Sequence, residues 1–536
     1  MTRTPSKKER ARGLLGRGYF PAELPPAFTT AELAKALRPL ADAWGTASKA
    51  PPTQYDVFSI PRAGHARRNL ALINPVSYLH LATFIAENWV PIRRFLRSSK
   101  YSKSTPEFAQ SARRALIISS FDELELQRLL ISSKFDYILR TDITRFYPSI
   151  YTHSVPWALH GKLWCKANLH SNLKGSLGDQ MDALLRKCQD NQTIGIPIGP
   201  DTSRIAGEII GVGIDSHLQK ELKLTDHRAY RYIDDFYIDF NQNSECEQAI
   251  RVILKALLSF ELDINSDKTS IALTAESIEP DWPYELRRFR FGKNAVAQRK
   301  SLEEYFHRAL YIAKGIKFDN VLEYAIKRTR SVPIFRANWT LYEAFLLKIA
   351  RINPPSIPTI VQILINYNNE GYRINKNYVG KLIEDSVLYL APRGHHGEVA
   401  WALFLAKALR IELPAKTAAA ISEMESSICG LVALDLRSRG LIRRGLELDG
   451  WVAALEPEAL TGRMWLLAYE ADLKGWLKAK TPKFVENHKF FMELKSRRIS
   501  FYDEVKNVER IDRTMRRERR WAKAWDERVL KWGISP

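Results

Sequence analysis

The stretch RYIDDFYIDF, residues 231–240, sets two adjacent aspartates inside a run that otherwise reads as apolar strand. Tyr230, Tyr232, Phe236, Ile238 and Phe240 share one parity, the period of a strand, and predict a β-hairpin bent at Asp234 and Asp235. Their alternation is expected to hold the bend in the core. Two like charges side by side in such a setting are costly, and carboxylate clusters that stay ionised usually hold a divalent cation. Two such ions about 3.5–4 Å apart activate an attacking hydroxyl and stabilise a leaving oxygen in phosphoryl transfer. That chemistry needs carboxylates from separate segments to converge.

A third carboxylate is available at the end of FDYILRTDI, which reads as a buried strand closing on Asp142. Asp142 lies 92 residues before Asp234, enough chain to bring the two strands side by side by way of helices. Taken alone it would read as a helix cap or turn residue; in company with the doublet it reads as a metal ligand.

The chain has 536 residues, 45% hydrophobic and 11% aromatic, which describes a folded protein of two to four domains. Its formal net charge of +21 favours polyanionic partners, nucleic acid first among them. Cys165, Cys188, Cys246 and Cys429 form no CxxC pair, so neither a zinc ribbon nor a disulfide framework is indicated and a reducing cytosol fits. No apolar run reaches the roughly 20 residues that span a bilayer. The basic N-terminus, residues 1–20, reads either as a solvated tail or as a polyanion-binding arm. The run RTMRRERRWAKAW, residues 513–525, looks like a basic helix.

Along the chain, residues 18–30 read as an extended entry segment, residues 55–74 as short strands around a basic turn, and 75–98 and 121–133 as helices. Helices are expected across 154–190. GIPIGPDTS is a loop running into the helical pattern RIAGEIIGVGIDSHLQKEL, 244–260 is an amphipathic helix, and LDINSDKTSI holds a short strand. After about residue 295 strand signals vanish. Leu302, Tyr305, Ala309 and Ile312, then Trp339, Tyr342, Leu346 and Ile349, then Val399, Ala402, Ala406 and Leu409 recur at helical spacing. Successive amphipathic helices predict a stacked helical array, with an ordinary bundle as the alternative.

The ordered set D-x-x-x-F-Y in TDITRFYPSI, G-x-P-x-G-x-x-x-S in GIPIGPDTS, then Y-x-D-D resembles the palm of reverse transcriptases. The resemblance implies an α+β fingers–palm of the right-hand polymerase type over residues 51–295. It is preceded by a basic arm and helix (1–50) and followed by an all-α, helical-repeat-like domain (296–536) in place of the thumb. It implies that Asp142, Asp234 and Asp235 are catalytic and bind two Mg2+ ions (Mn2+ as an alternative), with the Ile143 carbonyl as a backbone ligand. Tyr147 would be the aromatic gate that leaves no room for a ribose 2′-hydroxyl, favouring deoxynucleoside triphosphates. Gly195, Pro197, Gly199 and Ser203 would lie against the incoming nucleotide, glycine allowing close backbone approach. Ile198 stands where many relatives carry glutamine. Arg67 and Arg68 would neutralise the triphosphate, with no indication of which points inward and Arg62 a weaker candidate. Lys268 would meet the departing pyrophosphate.

Further detail in DITRFYPSIYTHSVPWAL, GYFPAELPPAFTT and WLLAYEADLKGWL resembles the bacterial abortive-infection and defence-associated branch. That implies antiphage defence in the bacterial cytoplasm, a homo-oligomer, a DNA product and no membrane. Synthesis is either untemplated and primed on a tyrosine, with Tyr19, Tyr55 and Tyr502 as guesses, or templated by a partner noncoding RNA, a retron enzyme being a variant. A nucleic-acid-binding scaffold with incidental catalysis is the reading from another class.

Overall fold

The computed structural model describes residues 4–64, 66–119, 121–223, 228–276, 281–316 and 319–511; the basic run 513–525 lies outside them. The first strands form a hairpin, β1 (Asp56–Pro61) and β2 (Arg67–Leu72), antiparallel with Pro61 opposite Arg67. A four-stranded antiparallel sheet follows: β3 (Tyr137–Asp142), β4 (Ala229–Tyr232), β5 (Asp235–Phe240) and β6 (Ser270–Leu273), in the order β4-β5-β3-β6.

The β4–β5 hairpin turns on two residues, Ile233 and Asp234, with Tyr232 opposite Asp235 and Tyr230 opposite Tyr237. Such a turn pairs residues of opposite parity. The expectation that the even-numbered residues share one side therefore fails. Tyr230 and Tyr232 stand on the face of Asp235, Tyr237 and Asp239, while Phe236, Ile238 and Phe240 occupy the other. That second face belongs to the main core. It is backed by helix Asn243–Ser259, which packs on β3 and β5 and on the 22-residue helix Asp201–Leu222. The first face carries a separate small cluster of Ile138, Tyr230 and Tyr237 with Leu124 of helix Phe121–Ser132. Tyr230 and Tyr237 stack at 4.7 Å, and the Arg128 guanidinium lies 4.5 Å over the Tyr237 ring.

From residue 4 on, the N-terminal segment is neither solvated tail nor free arm. Ser6 and Glu9 form a capping box on α1 (Lys7–Gly16), which packs on α2 (Pro75–Glu87). Two of its basic side chains are consumed internally, Arg10 donating to the Ala86 carbonyl and Arg17 to those of Ala109 and Ala112, while Lys7, Lys8 and Arg12 are exposed.

The second half is a two-row stack of helices. One row is α3 (Ala295–Gly315), α5 (Trp339–Ile352), α7 (Lys376–Leu390) and α9 (Ala415–Ser422). The other is α4 (Val321–Thr329), α6 (Ile357–Asn369), α8 (His396–Leu409), α10 (Ser427–Ser438) and α11 (Trp465–Leu473). Each helix touches the next of its own row, and α3–α4, α5–α6, α7–α8 and α9–α10 form the rungs. The twelve residues expected on the apolar stripes are all buried, because each stripe faces the opposite row. The second row meets the first half of the chain: α8 packs on β1, Trp465 Nε1 donates to the Leu72 carbonyl at 3.0 Å and Asn74 Nδ2 to that of Leu460 at 2.7 Å. One apolar core runs from Ala11 to Val508. The chain ends are stitched together as well, with Thr29 donating to the Phe501 carbonyl and Asp503 to that of Ala27. Among the described residues no helix is long and apolar enough to cross a membrane.

Candidate active site

Asp142 ends β3 directly opposite Asp235, the first residue of β5, and Asp234 occupies the intervening turn. The Ile143 amide donates to the Asp234 carbonyl at 3.2 Å, tying the two strand ends together. Like charges placed directly opposite across strands destabilise a sheet. The effect shows in the carboxyls: burial, then Asp235 and Asp142, push Asp234 up to about 7. Burial and Asp142 raise Asp235 as well, with Lys268, Arg140 and Arg128 opposing. Lys268 Nζ sits 2.5 Å from Asp142 Oδ2, and Asn265 Nδ2 donates to the same oxygen at 3.2 Å. An ammonium thus already serves as the cation for one carboxylate.

Among the described residues no three His, Cys, Asp or Glu side chains converge as a finished metal cage. The donor set nevertheless suits a hard divalent cation: carboxylate oxygens from adjacent strand ends, mutually repelling, and relieved by Lys268 with lesser help from Arg140 and Arg128 at Asp235.

Tyr147 follows on a short helix, Phe146–Ser149. It lies against Gly207 of helix Asp201–Leu222, where an added Cβ would come within 3.1 Å of the Tyr147 ring. Burial holds its hydroxyl well above the usual tyrosine range, Arg204 and Arg68 opposing, Asp234 and Glu208 reinforcing. Tyr147 therefore shares one electrostatic neighbourhood with the doublet. Arg204, one residue beyond Ser203, joins that neighbourhood and escaped the sequence reading.

Of the two arginines expected at the triphosphate, Arg67 is held elsewhere. Its fork closes on Glu398 of α8, at 2.8 and 2.9 Å, and its Nε donates to Ser59 Oγ at 2.7 Å. Glu398 is 331 residues away in sequence, so no local pattern signalled it. Arg68 is the one that senses Asp234 and Tyr147; its own value is lowered by burial first and Arg62 second.

The glycine-rich loop also departs from expectation. Gly199 has φ +127°, and a Cβ there would meet Pro21 Cγ at 2.7 Å. The close approach this glycine permits is to the entry segment. Arg114 Nη2 donates to the Gly199 carbonyl at 2.8 Å and to Asp201 at 2.7 Å, fixing the loop from behind. Pro197 is buried, its carbonyl accepting from Ser203 Oγ at 2.5 Å. Ile198 is half-buried, its carbonyl accepting from the Ala71 amide of β2 at 2.8 Å. Gly199→Ala is expected to cost about 1–3 kcal/mol through strain and clash. A lowered melting temperature with unchanged metal dependence would verify it.

The structure adds what the doublet rests on. Arg231 is fully buried, and all five of its N–H groups are engaged. Nε and Nη2 donate to Asp215 at 2.9 Å each, Nη1 and Nη2 to Glu208 at 3.2 and 2.9 Å, and Nη1 to the Ile233 carbonyl at 2.8 Å. Ser99 Oγ donates to Asp215 at 2.6 Å, and Ser102 and Ser104 to Glu208. Glu208 and Asp215 stand two turns apart, within and at the end of the otherwise apolar run 205–214 of helix Asp201–Leu222. Two buried carboxylates on one such face demand a buried cation, a signal the sequence carried.

Of the tyrosines guessed as primers, Tyr19 and Tyr502 are fully buried. Tyr19 donates to the Ile73 carbonyl; Tyr502 bonds Asp435 at 2.7 Å and Lys407 at 3.2 Å. Neither offers a hydroxyl without unfolding. Tyr55 is half-buried against the core.

No family model matches the chain, and no curated relative matches it. Among solved structures it is similar to apo telomerase from Candida tropicalis, at 13% identity over 65% of this chain and 68% of that one, TM-score 0.31. It is also similar to telomerase from Candida albicans in complex with the TWJ fragment of telomeric RNA, at 11% identity over 69% and 68%, TM-score 0.28. Against the Candida tropicalis enzyme truncated from its C-terminal domain, the match is 14% identical with TM-score 0.29; it covers 43% of this chain and spans 52% of that one. Likenesses of this size carry no inference about function, which rests on the site.

Proposed function

We propose that the chain is a nucleic-acid polymerase of the reverse-transcriptase type. More particularly, we propose a DNA polymerase of the bacterial defence-associated, abortive-infection branch. The observation that supports the chemistry is the direct cross-strand pairing of Asp142 with Asp235, with Asp234 on the turn between β4 and β5. Asp142, Asp234 and Asp235 would hold two Mg2+ ions, with the Ile143 carbonyl as a backbone ligand; bound there, the ions would lower the pKa of the attacking hydroxyl and stabilise negative charge developing on the leaving oxygen. Tyr147 would exclude the ribose 2′-hydroxyl, and Arg68 would meet the triphosphate. Lys268 would leave Asp142 for the departing pyrophosphate. The net charge of +21 suits a DNA product and a nucleic-acid partner. Untemplated synthesis is the first reading, favoured by apolar Ile198 in the loop; copying of a partner noncoding RNA is the second. Antiphage function, homo-oligomerisation and residence in a bacterial cytoplasm belong to the same proposal and rest on the sequence resemblance.

Purified full chain with Mg2+ and each deoxynucleoside triphosphate, with and without ribonuclease, tests the reading. Products are then digested with protease and compared for mobility. Synthesis that survives ribonuclease supports the untemplated mode; its loss supports the templated one. A double variant, Asp234→Ala with Asp235→Ala, that matches the unaltered chain would end the enzyme proposal.

A pH dependence follows from Asp234. Its folded value near 7 lies above the ordinary 3.8, so its contribution to stability is full below about 4 and lost as pH rises through about 7. A bound divalent cation removes that loss by replacing the proton. The gain in melting temperature from millimolar Mg2+ is therefore expected to be larger at about pH 8 than at about pH 6. An equal gain at both would contradict the assignment.

A further inference from the structure

Ile233 is a β-branched residue at φ +61°, in a backbone region that side chains of its kind rarely enter. A two-residue hairpin needs positive φ at the first loop position, and glycine is its usual occupant. Isoleucine there costs about 1–3 kcal/mol and persists only where the surroundings over-determine it. Here both peptide groups of Ile233 are held. Its N–H donates to Ser104 Oγ at 2.8 Å, and its carbonyl accepts from Arg231 Nη1 at 2.8 Å. Ser104 in turn donates to Glu208, so both clamps end on the same carboxylate.

We propose that Arg231 is a positioning residue: it pins the Ile233 peptide in its left-handed conformation and so fixes where Asp234 stands relative to Asp142. The proposal rests on the metal-binding reading above. Fold stability alone does not account for the arrangement. A buried ion pair is no better a stabiliser than well-packed apolar side chains, so joining β4 to helix Asp201–Leu222 requires no charge. Only a guanidinium can grip two carboxylates of that helix and still donate to the turn. The helix makes room for it, since a Cβ on Gly211 would lie 2.5 Å from Arg231 Cζ. The helix that anchors Arg231 also carries Gly207, against which Tyr147 lies. One rod thereby sets both the gate and the carboxylate turn. Metal ligands must be held to within about 0.5 Å, which a turn with isoleucine at positive φ does not do without this clamp.

The test uses Ile233→Gly, Ser104→Ala and Arg231→Lys in the full chain, with direct Mn2+ binding measured by calorimetry and melting followed in parallel. Ile233→Gly relieves the backbone strain, so its melting temperature is expected to equal or exceed that of the unaltered chain. Both clamps bond the backbone and survive this change, so its Mn2+ affinity is expected to be unchanged. Arg231→Lys keeps a cation between Glu208 and Asp215 but lacks the fork, and its affinity is expected to fall about tenfold. Ser104→Ala removes the other clamp and is expected to weaken binding by less. Adding Ile233→Gly to Arg231→Lys supplies a residue that holds positive φ without the clamp and is expected to restore part of the lost affinity. Unchanged Mn2+ affinity in Arg231→Lys, with the unaltered chain binding, overturns the positioning role alone. Absence of Mn2+ binding by the unaltered chain overturns the metal reading and this role with it.

Discussion

Asp142→Asn is expected to lower nucleotide incorporation by about 10²–10³-fold or more while leaving the protein folded and at least as stable. Each tenfold loss of rate is about 1.4 kcal/mol of transition-state stabilisation, and several kcal/mol are at stake when a metal loses a charged ligand. The stability half of the expectation comes from opposing effects. The substitution forfeits the Lys268 ion pair, but the Lys268 side chain is 57% exposed, and such pairs are worth about 0–1 kcal/mol. It also removes one of three mutually repelling carboxylates, which lets Asp234 and Asp235 fall back toward ordinary values. Relief of the repulsion outweighs loss of the surface pair. Incorporation assays beside thermal melts verify both halves. A variant that loses activity and unfolds together would mark Asp142 as structural.

Arg231→Leu is expected to be the most damaging single substitution in the first half, costing about 3–5 kcal/mol. Burial alone would lower the Arg231 value, but Asp215 and Glu208 more than reverse that and keep the guanidinium charged. Leucine leaves Glu208 and Asp215 buried together with only three serine hydroxyls to satisfy them. Burial already pushes Asp215 up, with the Arg231 guanidinium opposing. Loss of the cation raises it further, so the deficit is largest at neutral pH and shrinks as pH falls. Thermal melts of variant and unaltered chain across that range give the sign directly. A deficit that grows toward acid would contradict the arrangement.

The strands, the long helix Asp201–Leu222, the loop before it and the carboxylates were legible because each is written in local pattern: alternation, helical spacing and turn residues. Three things were not. The faces of Tyr230 and Tyr232 depended on whether the turn held two residues or more, and two invert the parity. The fate of Arg67 depended on Glu398, which only the docked helical array brings near. Gly199 was placed against a nucleotide by the resemblance of its loop, and no local pattern signals its neighbour Pro21. The first miss is a matter of local turn length; the other two involve contacts between segments far apart in sequence, where pattern gives the residue type but not the partner.

The stitch between Ala27–Thr29 and Phe501–Asp503 has a consequence for how the protein is made. Chains emerge from the ribosome N-terminus first, and domains fold as they become available. Here the Ala27 carbonyl and the Thr29 amide have no partner until residues 501–503 are synthesised. Arg67 waits likewise for Glu398, Asn74 for Leu460 and Leu72 for Trp465. All three carboxylates are translated before residue 240, yet the frame around them closes only once residue 503 has been made. A nascent chain stalled midway carries every candidate catalytic side chain and an unfinished scaffold to hold them.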